Sequence, residues 1–284
     1  MDVIRTAAGF REATDARRAA GETVGFVPTL GALHEGHDSL IRRARDEHPY
    51  ACVSIFLNPL QFGESEDLAR YPRPEEADLV RAESLGVDAA WVPPVHEMYP
   101  PGADLPAPDP GPLGEVLEGA ARPGHFAGVL KAVHRLFDVC GPCHAYFGEK
   151  DAQQLFLVRR MVDRFAMPVT IVACPTVRAA DGLALSSRNA YLSAEEREQA
   201  GCLFLALSEA AELSRSGERD AAVIVAAMAR EIGATPLARL DYATVVDDRT
   251  FEPVQRIDGP ARALVAARFP SARLIDNLAL PTGS

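Results

Sequence analysis

The sequence predicts an α/β protein: a Rossmann-like parallel sheet in an N-terminal domain, with a smaller α+β domain behind it. Three observations carry this expectation. From Gly21 to about Val177, apolar runs rich in β-formers alternate with segments of helical period, the pattern of right-handed βαβ units. The first run leads into a turn bearing Gly31, Gly36, His34 and His37, the layout of a phosphate site where a strand meets a helix. Past Ser193 the chain turns to Ala/Leu-rich helical sequence and then to short strands. The boundary is placed near Val177 to Ala180, so residues 1–177 form a nucleotide-binding domain and residues 178–284 a smaller lid domain.

Taken in order, Thr23 to Val27 is apolar and β-forming and reads as a buried strand that Pro28 ends. Leu40, Ile41 and Ala44 then recur at helical spacing, with Arg42, Arg43 and Arg45 on the other faces, so a helix starts near His34 to His37. Its first backbone N–H groups are expected to face an anion. Further strands are expected at Ala51 to Leu57, Ala89 to Val92, Ala145 to Phe147 and Val169 to Ala173, with helices near Pro74 to Leu85, Ala127 to Val139 and Ala152 to Phe165. The Pro- and Gly-rich stretch from Pro93 to Pro112 reads as a surface excursion. Ser193-Ala194-Glu195-Glu196 has the form of a helix cap opening one long helix, and a second helix runs from about Arg219 to Ile232. Strands at Asp241 to Val246, Ala263 to Ala267 and Leu274 to Asp276 complete the smaller domain.

Composition narrows the function. The 284 residues are 48% apolar, enough for a full core, and a net charge of -11 argues against a nucleic-acid surface. No apolar run approaches a membrane span and no export signal opens the chain, so a soluble cytoplasmic protein is expected. Five cysteines without an export signal point to reduced thiols. Cys140-Gly141-Pro142-Cys143 imitates a redox dithiol, but it follows a helix where a thioredoxin-type pair opens one, and it reads as a plain turn. Only Lys131 and Lys150 are lysines, so Lys150 beside a proposed phosphate site carries weight.

Chemistry-bearing residues cluster in four segments. Leu30-Gly31-Ala32-Leu33-His34-Glu35-Gly36-His37 offers two imidazoles that can donate to phosphate oxygens without a permanent charge. Val53 to Phe62 is a strand ending in Asn58-Pro59 and presenting Gln61, and ligands bind beyond such strand ends. Gly148-Glu149-Lys150-Asp151, followed by Gln153 and Gln154, supplies a compact cation. Asp181 to Asn189 reads as a hinge-like polar loop whose Ser186, Ser187 and Arg188 suit a triphosphate.

The first segment resembles the HxGH signature of the nucleotidyltransferase superfamily. Together, the blocks PTLGALHEGH, VSIFLNPLQF, DLARYPR, RPGHFAGV, FGEKDAQQL and PTVRAADGLALSSRNAYLS resemble the pantothenate synthetase (pantoate–β-alanine ligase) family from residue 27 to residue 193, and the Arg273-Leu274-Ile275-Asp276-Asn277 tail continues the match. The resemblance implies ATP-dependent joining of pantoate and β-alanine through a pantoyl adenylate, with Mg²⁺ on the phosphates and a homodimeric assembly. It implies an ATP site at residues 30 to 37, Gly148 to Asp151, Val177 and Leu185 to Arg188. Catalytic weight falls on His34, His37, Lys150, Ser186, Ser187 and Arg188, and substrate binding on Gln61 and Gln154. His37 matches the family's proton donor; charge stabilisation is its better physical role, because the first step has no leaving group that needs a proton.

Glu75, Glu76 and Asp78 are acidic residues in a region where the match to the family is loose, and no protein ligand for the metal is assigned. Four positions depart from the family pattern: Leu30 and Leu185 stand for methionines, Ala152 for an aromatic residue, and Asp38 for an apolar one. Asp38 adds negative charge beside the expected phosphate site. The competing readings are a nucleotide-binding regulator without turnover and an adenylyltransferase acting on another acid or on a nucleotide. Gln61 and Gln154 speak for pantoate.

Overall fold

A computed structural model describes residues 1–63 and 67–281. The chain divides into two compact units, Met1–Glu149 with Gln153–Pro175, and Lys150–Ala152 with Thr176–Ser284.

The first unit runs β1 (Asp2–Ile4), α1 (Ala7–Ala19), β2 (Val24–Thr29), α2 (Glu35–Glu47), β3 (Tyr50–Ile55), α3 (Glu75–Ser84) and β4 (Ala89–Trp91). It continues with α4 (Val95–Met98), α5 (Glu118–Ala121), α6 (His125–Cys140), β5 (Cys143–Gly148), α7 (Ala152–Arg164) and β6 (Val169–Cys174). The six strands form one sheet in the order β1-β4-β3-β2-β5-β6, and every pairing is parallel. β3 is buried at every position and β2 at all but Pro28, as expected of strands covered on both faces. The order reverses between β2 and β5, so the carboxyl ends of β2, β3 and β5 lie side by side at the switch point.

Four sequence expectations are corrected. Pro28 does not end its strand: β2 runs to Thr29, and the ladder to β5 is confined to Gly25 and Phe26, so the missing N–H falls where only β3 is still paired. The Pro93 to Pro112 excursion is not wholly on the surface, because Met98 of α4 is fully buried and Tyr99 packs on the same core. β1 and α1 were not expected at all. The long helix after Ser193 is two helices, broken at Ala200 and Gly201.

The second unit comprises α8 (Ala194–Gln199), α9 (Cys202–Arg215), α10 (Ala221–Gly233) and the strands β7 (Arg239–Asp247), β8 (Ala261–Arg268) and β9 (Arg273–Leu280). The strands form an antiparallel sheet in sequence order, and α9 and α10 bury Leu203, Leu207, Ile224 and Met228 with Val245 and Val265. Ser193 caps α8, accepting from Glu196 N at 3.2 Å, while Glu196 accepts from Ser193 N at 2.7 Å, the reciprocal pair the sequence suggested. All five cysteines are free and buried, and Cys140 to Cys143 is a turn from α6 into β5. No helix among the described residues is long and apolar enough to cross a membrane.

Candidate active site

His34 is the N-cap of α2 and His37 its third residue, and the two rings lie 4.2 Å apart. Gly36 N donates to His34 Nδ1 at 3.1 Å, and His34 N donates to His37 Nδ1 at 3.3 Å. A backbone N–H can only donate, so both Nδ1 atoms are acceptors and both imidazoles carry their hydrogen on Nε2. The sequence places two histidines at this helix start; the fold fixes their tautomers.

The amides just before the helix do not wait for a ligand. Gly31 N donates to Thr29 Oγ1 at 3.1 Å, while Ala32 N and Leu33 N donate at 2.7 Å to the two oxygens of Asp78 on α3. Positive φ values at Gly31 (85°) and Ala32 (51°) turn these amides toward the carboxylate, and a side chain at Gly31 would crowd Asp78 Oδ2 at 3.0 Å. The anion facing these loop amides is therefore the protein's own. Asp78 is only 3% exposed, and burial holds its pKa above the ordinary value despite the two amides, which pull it down.

Asp38, expected to add negative charge beside the phosphate site, is buried in the first turn of α2 and is paired there. Arg81 on α3 grips it with both arms, Nε at 2.6 Å and Nη2 at 2.9 Å. Of the other acidic residues considered for the metal, Glu75 is paired with Arg5 at 2.5 Å, and no group of three metal-ligating side chains forms among the described residues.

Beyond β3, a short 3₁₀ turn Pro59–Gln61 carries Gln61, which is buried. Leu60 N donates to Asn58 Oδ1 at 3.1 Å and Asn58 Nδ2 donates to Gly128 O at 3.1 Å, so the Asn58 amide has one possible orientation. Its Nδ2 also donates to Gln61 Oε1 at 3.0 Å, which fixes Gln61 with its NH₂ group pointing away from Asn58. Tyr99, whose pKa is pushed up by burial so that its phenol stays protonated, donates to Asn58 Oδ1 at 2.9 Å. The Gln61 carbonyl takes Nδ1–H of His125 at 2.8 Å and Nη2 of Arg122 at 3.3 Å, and Arg122 Nη1 donates to His125 Nε2 at 2.9 Å. Gly128 of α6 backs directly onto this turn: a Cβ there would lie 2.0 Å from Leu60 O. Sequence reasoning named Gln61 but assigned no role to Asn58, Tyr99, Arg122 or His125. The signal for Asn58 was its place between a buried strand and Pro59, that of a turn-initiating cap.

Gln154 lies half-buried in the first turn of α7. Its neighbour Gln153 is buried and structural, donating to Leu113 O (2.8 Å) and Val116 O (3.0 Å) and accepting from Glu118 N (3.1 Å).

Gly148 ends β5 and Glu149 to Asp151 form a 3₁₀ turn. In the second unit, Lys150 is half-buried with Nζ 3.5 Å from Asp151 Oδ1. Residues 177 to 185 form a tied hairpin, which takes in the first part of the loop expected at Asp181 to Asn189. Leu185 N donates to Val177 O and Ala179 N to Leu183 O, each at 2.9 Å, and Arg178 bridges Ala184. Val177 and Leu185 are thus brought together. Ser186 caps the following 3₁₀ turn Ser187–Tyr191, its Oγ accepting from Arg188 N at 3.3 Å.

A family model described as pantoate-beta-alanine ligase matches residues 2–279. Curated relatives include the pantothenate synthetase of Chloroflexus aurantiacus, 51% identical over 98% of this chain and 97% of its own length. That of Roseiflexus castenholzii is 49% identical over 99% of both. Among solved structures, pantothenate synthetase from Thermus thermophilus superposes with a TM-score of 0.92 at 47% identity, covering 99% of this chain and 100% of that one. Pantoate-beta-alanine ligase from Francisella tularensis, solved as a complex with beta-gamma ATP and beta-alanine, gives 0.80 at 32% identity over 98% and 97% of the two chains. With the match unbroken from the first strand to the last, this chain belongs to the pantoate–β-alanine ligase family.

Proposed function

We infer that the protein joins pantoate to β-alanine with ATP, giving pantothenate, AMP and pyrophosphate. In the first step an oxygen of the pantoate carboxylate bonds to the α-phosphorus and the bond to the bridging oxygen breaks, so pyrophosphate leaves with both electrons. In the second the β-alanine amine attacks the acyl carbon of the adenylate, AMP departs and the nitrogen loses a proton. Neither step needs a covalent enzyme intermediate, so catalysis rests on positioning and on stabilising negative charge.

The observation that carries this reading is the tautomer-fixed pair His34 and His37, whose Nε2–H groups are preset donors for phosphate oxygens. Lys150, Ser186, Ser187 and Arg188 supply the remaining donors, with Leu30 to Leu33, Glu35, Gly36, Gly148, Glu149, Asp151, Val177 and Leu185 shaping the nucleotide site. Gln61 offers an oriented NH₂ group to a substrate oxygen, and Gln154 a second amide to pantoate. Amides orient a carboxylate without damping its nucleophilicity as an ion pair would. Mg²⁺ would come with ATP and neutralise phosphate charge; Asp78 is engaged by the amides of Ala32 and Leu33, and no protein ligand or step is assigned to the metal. A homodimer is the assembly that the family resemblance implies, and sedimentation of the purified chain tests it; a cytoplasmic location is the expectation drawn from the sequence.

The test is product release from ATP and Mg²⁺ with pantoate or β-alanine omitted in turn. Pyrophosphate that requires pantoate, with AMP and pantothenate appearing only on adding β-alanine, is the expected result. ATP binding without pyrophosphate under any combination overturns the reading.

A further inference from the structure

Lys150 lies two residues past the end of β5, yet it groups with the C-terminal unit that holds β7 to β9 rather than with the sheet it leaves. The residue that holds it there is Asn277 on β9, itself 3% exposed. Asn277 Nδ2 donates to the Lys150 carbonyl at 2.8 Å, and Asn277 Oδ1 accepts from Arg262 Nη1 at 2.6 Å. The carbonyl can only accept and the guanidinium can only donate, so the amide has a single orientation and no other side chain of its size serves both ends.

The anchor is itself anchored. Asn277 N donates to Asp276 Oδ1 at 2.7 Å, and Arg178 Nη2 donates to Asn277 O at 3.3 Å while its two arms clasp Asp276 at 2.5 and 2.9 Å. Arg262 is steadied in turn by Asp248 at 2.7 Å.

The geometry points to Asn277 as a positioning residue for catalysis: by fixing the Lys150 backbone it sets the point from which the ammonium reaches the phosphate. The inference rests on the reading of Lys150 as a phosphate donor. A lysine whose backbone shifts can follow the phosphate only through less favoured rotamers, and a residual misplacement of about 1 Å is costly in rate.

A double-variant cycle on kcat for pyrophosphate release tests this, with Lys150→Ala, Asn277→Ala and the two combined, each checked for native circular dichroism. Asn277→Asp is the second probe: it keeps the acceptor for Arg262 and removes the donor to Lys150, and Asn277→Ser, smaller and uncharged, is the third where neither of the others folds. Each Asn277 variant alone is expected to lower kcat about tenfold, while in the Lys150→Ala background the further change is below about twofold. An equal loss in both backgrounds means that Asn277 acts on the fold at large and overturns the inference, as does native kcat in a folded Asn277 variant while Lys150→Ala is impaired. Native kcat in Lys150→Ala itself refutes the phosphate role of Lys150, a separate failure.

Discussion

Substituting Gly128 by alanine is the sharpest test of how Gln61 is held. The added Cβ would sit 2.0 Å from Leu60 O, 2.4 Å from Leu60 C and 2.7 Å from Gln61 N, and the contact to oxygen must open to 3.4 Å or more. The obstacle is backbone on both sides, α6 against the turn Pro59–Gln61, so no side chain can swing aside to absorb it. The turn must back away by more than about 1 Å, and Gln61 moves with it. That motion also stretches the bond from Asn58 Nδ2 to Gly128 O, now 3.1 Å, which fixes the amide's orientation. Overpacking of this kind destabilises by about 1–3 kcal/mol, and a 1 Å error in a substrate-orienting group lowers the rate by about 10²-fold. The assay is pyrophosphate release against pantoate concentration, with urea unfolding to confirm the native state. A folded Gly128→Ala enzyme whose kcat/KM for pantoate stays within about threefold of native would show that Gln61's position does not govern pantoate use.

Further expectations concern other parts of the molecule. Asp78→Asn leaves one of the amides of Ala32 and Leu33 without its acceptor, at about 1–3 kcal/mol, partly offset because a buried charge disappears; kcat falls with it, and unchanged stability and rate would remove Asp78 as the support of the histidine loop. Gln154→Ala should raise the KM for pantoate and leave ATP binding as it is, whereas native pantoate kinetics would end that assignment. Burial and then the neighbouring His144 hold the His48 pKa below its unfolded value of about 6.5, so the unfolded chain takes up the proton first and stability drops as pH falls through that value. His48→Asn should therefore flatten the decline of Tm between about pH 8 and pH 5.5; parallel curves would place the acid sensitivity in other groups, with His134, lowered by burial, the next to examine.

The parallel sheet was legible because its strands are continuous apolar runs, and the histidine turn because Gly and His mark it locally. What escaped was short or distant. β1 is three residues long and mostly exposed, so it carries no burial pattern; it exists because β4 pairs with it. The break between α8 and α9 falls at Ala200-Gly201, where a single glycine interrupts a sequence otherwise rich in helix formers. Asp38 read as a misplaced charge until Arg81, 43 positions away, proved to be its partner. The Asp78 clamp on Ala32 and Leu33 spans a similar gap. Periodicity reports which face is buried, not which polar groups from separate elements meet there.

The amide lattice behind Gln61 also gives that side chain a fixed polarity. With one lone pair of Oε1 taken by Asn58, the amide cannot flip without losing that bond, and its NH₂ group is a donor of set direction. An acceptor such as a carboxylate oxygen meets that NH₂ group with no reorganisation of the protein, whereas an ammonium does not. The direction of this one amide is set by folding through Asn58, Gly128 and Tyr99, so none of its alignment has to be found during binding.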